Sequence, residues 1–255
     1  MTTIAKPSIQ SLFIQMRFNG TPLSTGTAFV VNSKQGNPLL ITNRHNVTGR
    51  HQDTNQPLSD KGGIPNEIVI IHNRTHDKGM HHGWIETIEP LYLNDNPLWF
   101  EHPTLGAKAD FVALKLTKTT NVATIPYDIH GNDSDIFIGP TDLVSVIGFP
   151  FGIMAGGVLG VWTTGFIASE PAIDFSDLPK FLIDCRARPG QSGSPVIAYR
   201  SAGTTFVTSN GKPVMSDAPA HKFLGIYSGR VNANSDLGIV WKKDAIKELV
   251  DSIAW

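Results

Sequence analysis

The sequence predicts an all-β protein, a sandwich or a barrel, closed by one C-terminal helix. Three observations carry this. Short apolar or alternating runs recur along the whole chain, turn-forming residues separate them, and a convincing helical pattern occurs once, at the end.

In chain order, the runs are "LFIQMRF" (12–18), "GTAFVV" (26–31), "PLLIT" (38–42), "EIVII" (67–71) and "FVALKL" (111–116) in the first half. "DLVSVIGF" (142–149), "VWTTGFIA" (161–168), "KFLIDC" (180–185), "PVIAY" (195–199), "KFLGIYSG" (222–229) and "GIVW" (238–241) follow in the second. Asn19-Gly20, Gln35-Gly36-Asn37, Asn94-Asp95-Asn96-Pro97 and Asn210-Gly211 punctuate them with residues that accept turn geometry. In "KKDAIKELVDSIAW", Ala245, Ile246, Leu249, Val250 and Ile253 recur at helical spacing and predict one buried face. The polar stretch 117–135 predicts a division into residues 1–120, a linker at 121–134, and residues 135–255. Residues 201–221 read as a long exposed loop.

With 255 residues, 40% of them apolar and 17% charged, the chain is long enough to bury a sizeable core. A net charge of −1 and the lack of a basic run leave no electrostatic case for nucleic acid or an anionic membrane. The single cysteine, Cys185, excludes an intramolecular disulfide. No apolar stretch approaches the roughly 18 residues of a membrane span, and the start lacks the pattern of a signal peptide. The expectation is a cytoplasmic protein.

"RPGQSGSPVIAY" (188–199) places Ser192 in a turn before a strand. A serine hydroxyl is a poor nucleophile near neutral pH unless a base takes its proton and a third group orients that base. "LLITNRHNV" supplies His45 just after an apolar strand, and "AKADFVALKL" supplies Asp110 at the mouth of another. The strand-to-helix nucleophile elbow of α/β-hydrolases does not fit, because Ser194 replaces its last glycine and Pro195 leads into a strand.

These pieces, in the order His45, Asp110, Ser192, resemble the trypsin/chymotrypsin-like serine peptidases. "GTAFVV", "TNRHNV", "ADFVALKL" and "PGQSGSPV" match the strand before the histidine and the histidine, aspartate and serine motifs. "FLGIYSG" and "GIVWKKDAIKELV" match the strand beside the specificity pocket and the closing strand and helix. The resemblance spans roughly residues 22–250 and implies two antiparallel β-barrels (chymotrypsin-like), with His45 and Asp110 on the first and Ser192 on the second.

It implies that Ser192 is the nucleophile of a serine endopeptidase, His45 the general base and then acid, and Asp110 the group that orients the imidazole. The N–H groups of Gly190 and Ser192 would form the oxyanion hole, with Pro189 stiffening the approach. Arg186 falls where a trypsin carries its pocket-base aspartate and would favour an acidic residue before the cut bond. Ala187, Tyr227, Ser228 and Gly229 would shape the rest of a modest pocket. Gln191 replaces the aspartate that pairs with a new N-terminal amine in secreted digestive members, so activation by N-terminal cleavage is not expected. The absent disulfides and "PGQSGSP" place the style closest to bacterial Deg-type and glutamyl-endopeptidase branches.

The partner expected is a protein or peptide substrate, with no cofactor and no metal. Two other functions share the pattern, a non-catalytic peptide-binding module on the same fold and an esterase. His72, His76, His81 and His82 read as loop histidines rather than a metal site, Cys185 as a core residue, and Trp99-Phe100 as core between the halves.

Overall fold

A computed structural model describes residues 4–59, 62–75, 83–131, 133–232 and 234–255. The protein is mostly β, as the sequence predicts. The first half carries β1 (Ser11–Phe18), β2 (Thr21–Asn32), β3 (Pro38–Thr42), β4 (Glu67–Arg74), β5 (Trp84–Pro90), β6 (Tyr92–Leu93), β7 (Asn96–Pro97), β8 (Trp99–Phe100), β9 (Val112–Lys115) and β10 (Val122–Ala123). The second carries β11 (Leu143–Gly148), β12 (Val161–Ile167), β13 (Lys180–Asp184), β14 (Pro195–Arg200), β15 (Thr205–Val207), β16 (Pro213–Met215), β17 (Ala220–Arg230) and β18 (Leu237–Lys242). Among the described residues the α-helices are α1 (Lys6–Gln10), α2 (Arg44–Thr48) and the closing α3 (Lys243–Ser252), and one 3-10 turn covers Pro150–Gly152.

The first sheet has eight strands in the order β10-β4-β1-β2-β3-β9-β8, with β5 also paired to β4. The second is a closed barrel, β11-β12-β13-β18-β17-β14. All ladders within these two sheets are antiparallel.

Strand periodicity explains where the core lies. Side chains alternate between two faces of a strand, so β2, β3 and β9 each feed two hydrophobic layers. Ala28, Val30, Leu40, Val112 and Leu114 fill the first half with Ile14, Met16 and Ile68. Phe29, Val31, Leu39, Ile41 and Ala113 turn the other way and meet Ile147, Ile197, Phe223, Ile226 and Trp241 of the second half. A third layer, with Val146, Phe181, Ile183, Val196 and Val240, fills the barrel. Strands covered on both faces read as continuous apolar runs, which is why "AFVV" and "PLLI" lack alternation.

All five residues expected on the buried face of the last helix join the layer between the halves. Asp244 sits in its first turn, the favourable end for an anion. Trp99-Phe100 divides: Trp99 packs inside the first half, and only Phe100 lies against the layer between them. Within the expected linker, residues 122–129 are held by contacts, since Val122 pairs with Arg74, the Tyr127 N–H donates to Val30 O at 2.8 Å, and Tyr127 and Ile129 are buried. Residues 201–221 contain a hairpin, β15 with β16, turning at Asn210-Gly211. No helix among the described residues is long and apolar enough to cross a membrane.

Of the histidine cluster, His76, His81 and His82 lie outside the described residues. His72 is not a loop histidine: the strand that begins at Glu67 runs on through it as β4, it is 1% exposed, and its Nε2 has no hydrogen-bond partner among the described residues. Burial holds its pKa down to about 4, whereas an unfolded histidine titrates near 6.5, so below that pH the unfolded chain binds more protons. The stability carried by neutral His72 is therefore complete above about pH 6.5 and lost as the pH falls toward 4, roughly 3 kcal/mol in all. His72→Leu is expected to shrink the difference in urea midpoint between pH 7 and pH 4.5. An unchanged difference would contradict this account.

Candidate active site

His45 lies on α2, one turn after β3. The helix ends at Gly49, whose left-handed φ of 65° lets its N–H close back on His45 O at 3.0 Å. Asp110 lies two residues before Val112, which begins β9, the strand beside β3, and the Phe111 between them is buried. The β3–β9 ladder thus brings the two motifs together across 65 residues of sequence.

Asp110 is 2% exposed, and its carboxylate grips the histidine twice. Oδ2 lies 2.8 Å from the imidazole Nδ1, and Oδ1 accepts the His45 backbone N–H at 3.1 Å. A carboxylate beside Nδ1 fixes the proton there and leaves the Nε2 lone pair free. Behind it, Asn43 Nδ2 donates to Asp110 O at 2.5 Å and holds the aspartate backbone.

Ser192 enters from the second half, in the turn before β14. His45, Asp110 and Ser192 line one cleft of about 280 Å³, whose far wall includes Ser228 and Gly229 of β17. Among the described residues no hydrogen bond joins Ser192 Oγ to the imidazole. Contacts of this kind commonly tighten only with substrate in place.

The turn that carries Ser192 is clamped to the first half. Ser192 O accepts the Thr27 N–H at 2.9 Å and Asn46 Nδ2 at 3.3 Å, while Thr27 Oγ1 donates to Gly190 O at 2.9 Å. Gly193 could not be another residue here: its φ is +89°, and a Cβ would fall 1.9 Å from Thr27 O. Pro189 O accepts the Phe151 N–H at 2.6 Å. Because a trans peptide points its C=O and N–H in opposite directions, this bond turns the Gly190 N–H away from Phe151. Neither the Gly190 nor the Ser192 N–H has a protein acceptor among the described residues.

Gln191 is fully buried and satisfied at both ends. Its Nε2 donates to Thr163 Oγ1 at 2.6 Å, and its Oε1 accepts the Arg188 N–H at 2.7 Å. A neutral amide thus occupies the position where an aspartate would need a cation.

The structure brings His45, Asp110, Ser192, Ser228 and Gly229 to one cleft, but not the other three expected pocket residues. Strand-like alternation around 185–188 buries Cys185 and Ala187 and turns Arg186 outward, where it is exposed and off the cleft wall. Tyr227 is buried inside the barrel. Cys185 is indeed a core residue, its thiol pKa pushed up to about 11, chiefly by burial. Thr27, Asn43, Asn46 and Thr163 also support the site, unmarked in the sequence. The first three act across the chain on the backbone carbonyls of Gly190, Asp110 and Ser192, and Thr163 on the Gln191 side chain, and no local pattern marks such a role.

The sequence profile of the trypsin-like peptidase domain matches residues 26–203. The chain belongs to that family, whose members are serine endopeptidases, hydrolases of peptide bonds. No curated protein matches it by sequence. In fold it is similar to a serine endoprotease from Yersinia pestis, with a TM-score of 0.50 and 15% identity over 99% of this chain and 69% of that one. It is also similar to the thermostable serine protease AL20 from an extremophilic microorganism, with a TM-score of 0.51 and 11% identity over 97% of each chain.

Proposed function

We propose that the protein is a serine endopeptidase that cleaves peptide bonds through an acyl-enzyme on Ser192. The observation that carries this is the Asp110 carboxylate 2.8 Å from His45 Nδ1, on the same cleft as Ser192. His45 Nε2 takes the Ser192 proton as Oγ attacks the substrate carbonyl, then gives it to the leaving amine. Water attacks the acyl-enzyme by the same route in reverse. Asp110 holds the tautomer and stabilises the imidazolium without taking the proton. The N–H groups of Gly190 and Ser192 receive the oxyanion, a role supported by their having no other acceptor among the described residues and by the Pro189–Phe151 bond.

Gly190→Ala tests that last role. The native φ is +93°, and a Cβ would fall 2.4 Å from Phe149 O, so the turn must rotate. The expected result is a fall in kcat of about 10²–10³, the usual cost of one oxyanion donor. A variant within threefold of wild type would contradict the assignment.

The open contact between Ser192 and His45 favours one other reading, a module that binds peptides without cutting them. A panel of matched peptide amides and esters separates the readings. Amide turnover supports the peptidase, turnover of esters alone supports an esterase, and saturable peptide binding without either product supports the binding module.

A further inference from the structure

Beyond Ile226, β14 no longer covers β17, because the β14 ladder begins at the pair Pro195–Ile226. The Tyr227 backbone closes the gap, accepting the Gly193 N–H at 3.0 Å and donating to Ser194 O at 2.9 Å. Ser228, Gly229 and Arg230 then leave an edge beside Ser192 on which an extended peptide can add as a strand. A Cβ on Gly229 would meet nothing within 4 Å, so the space over the face of this stretch is open.

Side chains of an added strand alternate between two faces. One face looks over the cleft, toward Leu178, Lys180 and Trp241. The other looks into the barrel, and there the space is taken. Tyr227 is 2% exposed and packs in one cluster with Cys185, Ala187, Ile183 and Val240. Its ring lies so close over Gly238 that a Cβ there would sit 2.6 Å from Tyr227 Cε2. Bonds on both sides of its own peptide groups fix the tyrosine in place.

We propose that Tyr227 plugs the barrel-side pocket next to Ser192, so that the protein cleaves after Gly, Ala or Ser and excludes large side chains at the residue before the cut. The inference deepens the peptidase reading and rests on it.

A peptide library varied at that residue tests it, with fluorophosphonate labelling of Ser192 run in parallel. Wild type should prefer Ala over Phe, Leu, Arg and Glu by at least about tenfold in kcat/KM, within the range that a few methylenes in a pocket discriminate. Tyr227→Ala should shift the preference to Leu or Met, and Tyr227→Leu, which keeps more of the core filled, should shift it in the same direction but less. Thermal unfolding identifies which variants are folded, and the wild-type profile decides the matter if neither is. A labelled wild type that cleaves equally well after large residues overturns this inference alone, as does an unchanged profile in a folded, labelled variant. A wild type that neither labels nor cleaves overturns the peptidase reading and this inference with it.

Discussion

Ser192→Ala is expected to lower kcat on peptide substrates by on the order of 10⁶-fold while leaving the thermal midpoint nearly unchanged. The serine is the attacking atom of the proposed route and shares one cleft with His45 and Asp110; the other serine on that cleft, Ser228, stands on the far wall, on β17. Its main chain holds the turn to the first half through the bonds from Thr27 and Asn46 to its carbonyl, and alanine keeps that carbonyl. The loss should therefore fall on catalysis rather than folding. Steady-state kinetics beside calorimetry checks both; a variant that retains more than a hundredth of the activity would mean that Ser192 is not the nucleophile.

Asp110→Asn should cost on the order of 10⁴-fold in kcat, with KM little altered. The asparagine is nearly isosteric, so the packing around Phe111 and the Asn43 bond to the backbone of residue 110 can persist. What changes is the partner of His45 Nδ1. A carboxylate accepts at both oxygens, here the Nδ1–H and the His45 backbone N–H. An amide whose oxygen stays on the backbone N–H presents its NH₂ to Nδ1, which must then be the unprotonated nitrogen. The proton moves to Nε2 and blocks the lone pair that Ser192 requires. A loss below tenfold would contradict the orienting role.

Much of this site is legible in the sequence because its chemistry is local. "TNRHNV", "ADFVALKL" and "PGQSGSPV" each put a candidate catalytic side chain beside a strand, and strand pairing then brings His45 and Asp110 together. The β class and the closing helix are legible for the same reason, since periodicity records which face is buried. Specificity is not, and the cause is physical. Whether Arg186 points in or out depends on register, and a shift of one residue reverses it; burial of Cys185 and Ala187 decides it outward. Tyr227 reads in sequence as a pocket wall, and only packing against Gly238 shows that its ring fills the interior. The clamps from Thr27 and Asn46 are equally invisible, because they join residues separated by 163 and 146 positions. Gln191 is the intermediate case. Its neutral side chain argues against a charge-dependent activation step, and the structure adds the two partners that make a charge unnecessary.

The most direct test of the central claim is reaction with a fluorophosphonate followed by peptide mapping. Wild type is expected to carry a single adduct on Ser192, Ser192→Ala none, and labelling is expected to slow at least about a hundredfold in His45→Ala, the usual share of a general base. An adduct on another residue, or equal labelling with and without His45, would contradict that claim.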